Sequence, residues 1–266
     1  MFRLNKKGNI KYYTISSFEK TGIIKHGFST REGGVSEGCY SSMNLRFNCE
    51  DSRENVLENY RLISEALGMD VKRLVLSKQV HEDVIHTADE SDCGNGITRE
   101  NSFTSVDALI TDKKNVPIVT LFADCVPLFF LDKKQGVIAL AHSGWKGTVK
   151  RIGQKTVEKM KRDYGSNPAD ILTAIGPSIQ EDHFEVGDEV AEIFINEFGA
   201  DTAVKYGKKY HVNMQKAIIK QFEEAGIPRE NIDNSGICTY CNSDLLFSHR
   251  RTKGRRGNLG AFMQLI

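Results

Sequence analysis

The segment Leu121–Gly147, LFADCVPLFFLDKKQGVIALAHSGWKG, decides the predicted fold and the first candidate site. Two apolar runs, Val116–Leu121 and Val137–Ala141, each lead into a residue that can bind a soft or borderline metal. Cys125 follows the first run and His142 follows the second. Short apolar runs between turn signals predict buried strands. Adjacent buried strands that end in Cys and His could bring a thiolate and an imidazole together.

The composition indicates a soluble globular protein of 266 residues, long enough for one sizeable domain or two small ones. Lys and Arg number 36 against 35 Asp and Glu, so no overall field selects nucleic acid or an anionic membrane, and we expect neither as a partner. No apolar run approaches the roughly 18–20 residues of a membrane span. The N-terminal MFRLNKKGNIKYY lacks the apolar core of a secretory signal, so we expect a cytoplasmic protein.

Hydrophobic periodicity predicts a single α+β domain over residues 1–266. Apolar residues at helical spacing predict four helices, at Arg53–Leu67, Thr148–Tyr164, Glu185–Phe198 and Asn213–Ala225. Short apolar runs predict strands at Ile10–Ile15, Leu74–Ser77, Asp107–Thr111, Val116–Phe122, Leu128–Leu131, Val137–Ala141, Ile171–Ile175 and Leu259–Ile266. A doubly wound nucleotide-binding fold is disfavoured, because neither Gly-x-Gly-x-x-Gly nor the phosphate-loop pattern occurs.

The six cysteines are irregularly spaced in a long chain without a secretory signal. A disulfide framework is therefore disfavoured, and metal-binding or catalytic use gains weight. Cysteine also packs well as a small hydrophobe, so each position needs its own argument. The positions are Cys39, Cys49, Cys93, Cys125, Cys238 and Cys241.

A third ligand for Cys125 and His142 is offered by His81, which follows the predicted strand in LVLSKQVH. The three residues are far apart in sequence and would have to converge from separate elements. Two His and one Cys, with a fourth position left to water, form the arrangement of a catalytic zinc site. Zinc lowers the pKa of such a water towards about 7. Scattered His and Cys are common, however, so spacing alone favours the alternative that the three are unrelated.

A second metal hypothesis comes from the signature of zinc nucleobase deaminases, His-x-Glu followed by Pro-Cys-x-x-Cys. The chain contains His183-Phe184-Glu185 and, much later, Cys238-Thr239-Tyr240-Cys241. Ile237 stands where the signature has proline, and Glu185 is predicted to open a helix rather than to lie inside one. We therefore interpret this match as a coincidence.

A nucleophilic site is the third interpretation, with Cys125 as thiolate, His142 as its base and Asp124 or Asp107 as the orienting carboxylate. The sequence does not separate this site from a metal centre, because both need a close, deprotonated cysteine. A nucleophilic Cys–His pair would give His81 no role. A well-placed His81 therefore favours the metal centre over the nucleophilic site.

Other polar segments indicate a small anionic or polar ligand. The Gly-rich stretch Phe28–Ser36, FSTREGGVS, contains Arg31, whose guanidinium can bind phosphate or carboxylate with two hydrogen bonds. Asn44 can donate and accept at once, and Arg250 and Arg251 supply a second cationic group. Each of these residues could equally belong to a solvated turn or an exposed charged surface.

The ordered set of motifs HGFSTREGGVS, SMNL, LSKQVH, DALIT, ADCVPLFF, AHSGWKGTV, AIGPSI, FEVGDEV, GICTYCN and FSHRR resembles the YfiH-type laccase-domain family over residues 24–266. Its members were first described as polyphenol oxidases and later as multifunctional purine nucleoside enzymes. In the family the metal ligands are the His of Gln-Val-His, the Cys of Ala-Asp-Cys and the His of Ala-His-x-Gly-Trp. The resemblance thus implies zinc, with copper as the alternative metal, bound by His81, Cys125 and His142.

The resemblance also implies packed mixed β-sheets flanked by helices in α/β/β/α layers. The implied activities are phosphorolysis of adenosine, inosine and 5′-methylthioadenosine and hydrolytic deamination of adenosine, by a monomer or weak homodimer. One alternative is a copper-dependent polyphenol oxidase, which the absence of any His-x-His pair disfavours. Another is a hydrolase that edits peptidoglycan precursors.

Residue roles follow from the same resemblance. Cys125 and His142 would hold the metal that activates water for deamination, and phosphate held by Arg31, with Arg250 or Arg251, would attack the ribose anomeric carbon. We also expect a catalytic contact from Asn44. Asn44 and His183 are the expected contacts to sugar or base.

The chain departs from the family pattern at two segments. Residues 253–258 read KGRRGN where relatives often have Thr-Gly-Arg, and residues 180–183 read QEDH where Gly-Pro-Cys-Cys is common. Both segments are expected at the ligand rim. The substrate preference therefore stays open at this point, whereas the predicted metal ligands are unaffected.

Overall fold

The computed structural model describes residues Met1–Ile266 and contains fifteen strands and seven helices. The strands are β1 (Phe2–Lys7), β2 (Ile10–Ile15), β3 (Ile24–Ser29), β4 (Val75–Leu76), β5 (Ile85–Thr87), β6 (Ala108–Thr111), β7 (Ile118–Phe122), β8 (Val126–Asp132), β9 (Val137–Ser143), β10 (Ile171–Ile175), β11 (Glu185–Val186), β12 (Ala203–Tyr206), β13 (Lys209–Val212), β14 (Ile232–Asn234) and β15 (Leu259–Leu265). The helices are α1 (Ser16–Glu19), α2 (Arg53–Leu67), α3 (Trp145–Val149), α4 (Ile152–Tyr164), α5 (Asp188–Phe198), α6 (Met214–Glu224) and α7 (His249–Thr252).

Two six-stranded sheets form the centre of the molecule. The first has the order β1-β2-β3-β15-β7-β4 and the second the order β14-β10-β8-β9-β6-β5. Most neighbours are antiparallel, but β4 with β7, β5 with β6 and β10 with β14 are parallel, so both sheets are mixed. A small third sheet, β11-β13-β12, lies apart from these two.

The alternation of side chains along β8 shows how the layers pack. Phe129 and Leu131 point towards the first sheet and share a buried cluster with Met263 of β15. Leu128 and Phe130 point the other way, into a cluster with residues of α4, α5 and α6. A strand that is buried on both faces needs apolar residues at every position, which is why this run shows no polar alternation.

The outer face of the first sheet is covered by α2. Tyr60 and Ile63 of that helix share a third buried cluster with Val119 of β7 and Phe262 of β15. The order of layers is therefore helix, sheet, sheet, helix. The predicted α+β class and its α/β/β/α layering are confirmed.

The predicted helix Thr148–Tyr164 is interrupted and becomes α3 and α4. Arg151 lies between them in the left-handed region, with φ of 60°. Its guanidinium pairs with the carboxylates of Glu197 and Glu224, on α5 and α6. Ion pairs with two distant helices thus stabilise the left-handed conformation that ends α3 and separates it from α4. Apolar periodicity could not indicate this interruption.

The predicted helix Glu185–Phe198 begins at Asp188, because Gly187 is its N-cap and Glu185 and Val186 form β11. The sequence did not indicate the largely polar strands β1, β12 and β13, which lack an alternating apolar pattern. None of the seven helices combines the length and the apolar character that crossing a bilayer requires.

His26 on β3 is a buried histidine that the fold keeps neutral. Its Nε2 accepts a hydrogen bond of 2.7 Å from the backbone N–H of Ile15. Burial, opposed by the charge of Glu19, lowers the pKa of His26 to about 4. Because an unfolded histidine titrates near 6.5, the unfolded chain binds the proton more tightly. The stability contributed by neutral His26 is complete above about pH 6.5 and is lost as the pH falls towards 4.

We expect the free energy of unfolding of the wild type to fall by about 2–3 kcal/mol more than that of His26→Gln between pH 7 and pH 4.5. Glutamine can still accept from Ile15 but does not titrate, so the variant isolates the histidine from the carboxylates that protonate in the same range. Urea unfolding at the two pH values measures the difference. An equal loss in both proteins would contradict the assignment.

Candidate metal centre

His81, Cys125 and His142 come together in the structure, and we call them the metal centre. Their donor atoms all lie within 4.8 Å of one another, and Cys125 Sγ is 4.0 Å from His81 Nε2. His142 is buried, Cys125 is half-buried and His81 is exposed. The three residues are therefore not the unrelated side chains that spacing alone favoured.

Cys125 lies where the chain passes from one sheet to the other. The link of Ala123, Asp124 and Cys125 joins β7 of the first sheet to β8 of the second. Asp124 adopts φ of 85°, and its carboxylate accepts hydrogen bonds of 2.6 Å from Thr239 Oγ1 and from the backbone N–H of Arg250. This carboxylate is occupied by structural contacts, and the sharp turn that it stabilises directs the next residue, Cys125, towards His142.

Asp107 anchors both histidines of the metal centre. Its buried carboxylate is 2.8 Å from His142 Nδ1 and accepts backbone N–H groups from Val80, His81 and Glu82 at 3.0, 3.1 and 3.0 Å. These bonds hold the His81 backbone in the left-handed region, with φ of 66°. Donation from His142 Nδ1–H leaves the Nε2 lone pair available, as metal ligation requires.

The electrostatics favour ionised Cys125. Burial opposes ionisation, but His142 and His81 outweigh it and lower the pKa of the Cys125 thiol. Burial likewise opposes charge on His142, whereas Cys125 and Asp107 raise the pKa of that imidazole. Since the thiolate is the metal-binding form of cysteine, the centre stabilises the ligand in the state that it needs.

Gly144 shows that this space is shaped around the three ligands. A Cβ at this position would lie 2.9 Å from His81 Cδ2 and 3.2 Å from Cys125 Sγ, so any other residue would displace them. Two imidazoles and one thiolate suit a borderline ion such as zinc, and the fourth side remains open to the cleft described next. The residues therefore fit a zinc ion. A nucleophilic Cys–His pair would not need His81, so its position favours the metal centre.

A cleft of about 1080 Å³ adjoins the metal centre. Its aromatic lining residues are Phe47, Trp145 and Phe184. Cationic groups predominate over the carboxylates of Glu100 and Asp124. The cationic residues are Arg46, Arg53, Lys78, Arg99, Arg250 and Arg256.

Arg256 is the most constrained of these cations. Its guanidinium bonds to Asn258 Oδ1 and reaches His249 Nδ1 at 3.2 Å, while its buried Nε has no partner. Burial and the charge of Arg46 lower the pKa of Arg256. Burial and the charge of Arg256 also lower the pKa of His249, which favours a neutral imidazole there. An anion in the cleft would relieve the repulsion between the two arginines.

Arg31 does not line the cleft. Its Nε and Nη1 donate to the backbone carbonyls of Ser41 and Ser243 at 2.8 and 2.9 Å, and its guanidinium lies 4.6 Å from the ring centre of Phe247. It lines a separate small cavity with Asp244. The Gly-rich stretch therefore joins two loops, and the catalytic and phosphate contacts expected of Arg31 stay a prediction that this cleft does not support.

Asn44 is fully buried and does not line the cleft, so its predicted substrate contact stays a prediction. Its Oδ1 accepts the backbone N–H groups of Arg46 and Asn258 at 2.9 and 3.0 Å, and its Nδ2 donates to Asp51 at 2.8 Å. Both of its polar atoms are thus occupied. Asn44 positions two residues that line the cleft and does not itself face a substrate.

Of the other residues predicted at the ligand rim, one lines the cleft and two do not. Arg250 lines the cleft, and its contact with phosphate stays a prediction. Arg251 instead lies over the ring of Tyr240, 5.3 Å from its centre, and His183 does not line the cleft. The sequence did not single out Arg46, Arg256 or His249 as cleft residues. His249 lies in the motif FSHRR, and Arg256 lies in the divergent segment 253–258.

Comparisons with known proteins agree with this fold. Residues 25–266 match the family model described as multi-copper polyphenol oxidoreductase laccase. Purine nucleoside phosphorylase YlmD of Bacillus subtilis (strain 168) is 34% identical over 241 residues, covering 89% of this chain and 87% of that protein. Adenosine deaminase RL5 from an unknown prokaryotic organism is 36% identical, covering 88% of this chain and 91% of that protein.

The crystal structure of Bacillus licheniformis YfiH superposes with a TM-score of 0.93 at 32% identity, covering 100% of this chain and 99% of that one. The chain therefore belongs to the multi-copper polyphenol oxidoreductase laccase family, whose YfiH-type members it resembles throughout its length.

Proposed function

We propose that the protein is a zinc-dependent purine nucleoside phosphorylase that also deaminates adenosine. The observation that carries the proposal is a fitted His₂Cys centre open to a cleft in which cations predominate. The names of the two relatives, a purine nucleoside phosphorylase and an adenosine deaminase, support the same substrate class. Adenosine, inosine and 5′-methylthioadenosine are the proposed nucleosides.

The cleft suits a nucleoside together with phosphate. Its volume of about 1080 Å³ is at the upper end of the range typical of small-molecule sites. Trp145 and Phe184 line the cleft and can contact a purine ring, whereas the Phe47 ring is already stacked on Tyr60 and covered by Arg53. Arg46 and Arg256 both line the cleft, and the charge of Arg46 lowers the pKa of Arg256, so the pair can bind a phosphate anion.

In phosphorolysis a phosphate oxygen forms a bond to the ribose C1′ while the C1′–N9 bond breaks. The electron pair of that bond passes to the purine, which takes up a proton, and the products are the free base and ribose 1-phosphate. Arg46 and Arg256 hold the attacking phosphate. His249 Nδ1 accepts from Arg256, so the proton of this neutral imidazole is on Nε2, where it can donate to the departing purine.

Zinc, when bound, supplies a Lewis acid that polarises substrate oxygen or nitrogen and activates water. In deamination the water oxygen forms a bond to the purine carbon that carries the amine, and ammonia leaves. Asp107 keeps His142 oriented, and the aromatic lining excludes bulk water from the reacting atoms. The two reactions thus share one centre and differ in which nucleophile the cleft holds.

We expect adenosine incubated with the protein and phosphate to yield adenine and ribose 1-phosphate, and the phosphate-free sample to yield only inosine. Mass identification of the products distinguishes the two reactions. Arg256→Gln should raise the KM for phosphate about 10–100-fold, because it removes a charge-assisted contact worth about 1.5–3 kcal/mol. Deamination needs no phosphate and should change much less.

Arg255→Gln is the matched control, since Arg255 is the exposed neighbour in the same segment and does not line the cleft. It should leave the phosphate KM unchanged. Failure to form either product would count against the proposed reactions. A phosphate KM that is equal in the two variants would count against the proposed phosphate site.

A further inference from the structure

A second cluster of metal-binding side chains lies outside the cleft and consists of His183, Cys238 and Cys241. Their donor atoms all lie within 4.8 Å of one another. His183 Nδ1 is 3.9 Å from Cys238 Sγ and 3.6 Å from Cys241 Sγ. None of the three lines the cleft, and the proposed nucleoside chemistry does not use them.

These separations match the edges of a zinc tetrahedron. Zinc binds cysteine sulfur at about 2.3 Å and histidine nitrogen at about 2.0–2.1 Å, so sulfur and nitrogen ligands are about 3.6 Å apart at a tetrahedral angle. Both imidazole nitrogens lie within 4 Å of Cys241 Sγ, and an ion between the donors would hold Nδ1 close to both sulfurs. A single N–H donor could serve only one of the two thiols.

The backbone holds the ligands in place. Ser178 and Cys238 form a β-bridge in which Thr239 N–H donates to Ser178 O and Ser178 N–H to Ile237 O, both at 3.1 Å. The imidazole of His183 stacks on Tyr240 with ring centres 4.2 Å apart. The two segments that carry the ligands are thus fixed relative to each other.

We propose that His183, Cys238 and Cys241 bind a second zinc ion, with water in the fourth position. The ion cross-links the segment before β11 to the loop after β14. Arg250, a cleft residue, donates to the backbone carbonyls of His183 and Glu185 at 3.3 and 2.9 Å, so the cross-linked segment supports the cleft wall.

The second ion has a structural and not a deaminase role. Although the ligand set repeats the His-x-Glu and Cys-x-x-Cys pattern, Glu185 lies on β11 and its carboxylate is 4.0 Å from Lys209 Nζ. A deaminase would need that carboxylate as its acid and base beside the zinc-activated water. The match to the deaminase signature therefore stays a coincidence, although the histidine and the two cysteines of the pattern do come together in space.

The test is the zinc content of protein purified with zinc present and then freed of loosely bound metal. We expect about two zinc ions per chain in the wild type and about one in Cys241→Ser and in His183→Gln. Cys125→Ala should also retain about one, and the Cys125→Ala/Cys241→Ser double variant none. Cys39→Ser, a half-buried cysteine outside both clusters, is the matched control and should keep two.

A second measurement uses the wild type alone. Cys241 is exposed, so an alkylating reagent should modify it readily after chelation and at least about tenfold more slowly with zinc bound, because the bound thiolate is a poor nucleophile. Full zinc content in Cys241→Ser, alkylation that zinc does not slow, or a Cys238–Cys241 disulfide in freshly purified protein would overturn the second site. These outcomes leave the first centre and its proposed reactions untouched.

Discussion

Cys125→Ala is expected to remove zinc from the metal centre and to abolish phosphorolysis and deamination together. The substitution deletes the only thiolate of the centre and leaves two imidazoles, one of them exposed, to hold the ion. We expect kcat/KM for both reactions to fall at least about 10³-fold, which corresponds to about 4 kcal/mol of transition-state stabilisation. Metal analysis and product assays on the same preparation measure the two losses.

Cys93→Ala is a suitable control for this variant, because Cys93 is half-buried like Cys125 but belongs to neither metal-binding cluster. It should keep the metal and both activities, apart from a modest loss of packing. Phosphorolysis that survives in metal-free Cys125→Ala protein would show that this reaction does not use the centre. The shared-site proposal would then fail even if deamination were lost.

Asp107→Asn is expected to weaken zinc binding about 10–100-fold and to destabilise the fold by about 3 kcal/mol. The buried carboxylate accepts four hydrogen bonds, three from backbone N–H groups and one from His142. An amide offers only one acceptor atom, and its NH₂ group would face N–H donors. At least one buried backbone donor is then left unpaired, and the loop that carries His81 loses its anchor.

Asp112→Asn provides the comparison, since Asp112 follows the same strand, β6, but is exposed and pairs only with neighbouring Lys113. Its zinc affinity and unfolding free energy should stay within about 0.5 kcal/mol of the wild type. Competition with a coloured chelator and urea unfolding measure both quantities. Unchanged zinc affinity in Asp107→Asn would mean that the carboxylate holds the fold and not the ligands.

The layered fold and the metal ligands could be inferred from the sequence because their signals are local. Each face of β8 and β9 is apolar, which indicates strands that are buried between layers. The motifs around Cys125 and His142 adjoin those strands. The convergence of His81, which lies in a loop after β4, could be expected from the family motif but not from spacing.

The cleft wall could not be inferred in the same way. Arg31 and Asn44 lie in motifs as distinctive as those of the metal ligands, yet Arg31 donates to two backbone carbonyls and Asn44 pairs with two backbone N–H groups and the Asp51 carboxylate. Arg256 lies in a divergent segment that was expected at the ligand rim, but nothing in the sequence distinguished it from exposed Arg255, which does not line the cleft. A polar side chain is available to a ligand only when its neighbours leave it unpaired, and those neighbours come from distant segments.

The sequence by itself determined where the buried strands run and which Cys and His residues adjoin them, because alternation and turn signals act over a few residues. Tertiary structure alone decided that Asp107 would hold both histidines and that Cys238 and Cys241 would meet His183. It also decided which arginines face the cleft. Such contacts join residues far apart in the chain, and their geometry depends on how the two sheets and their loops pack.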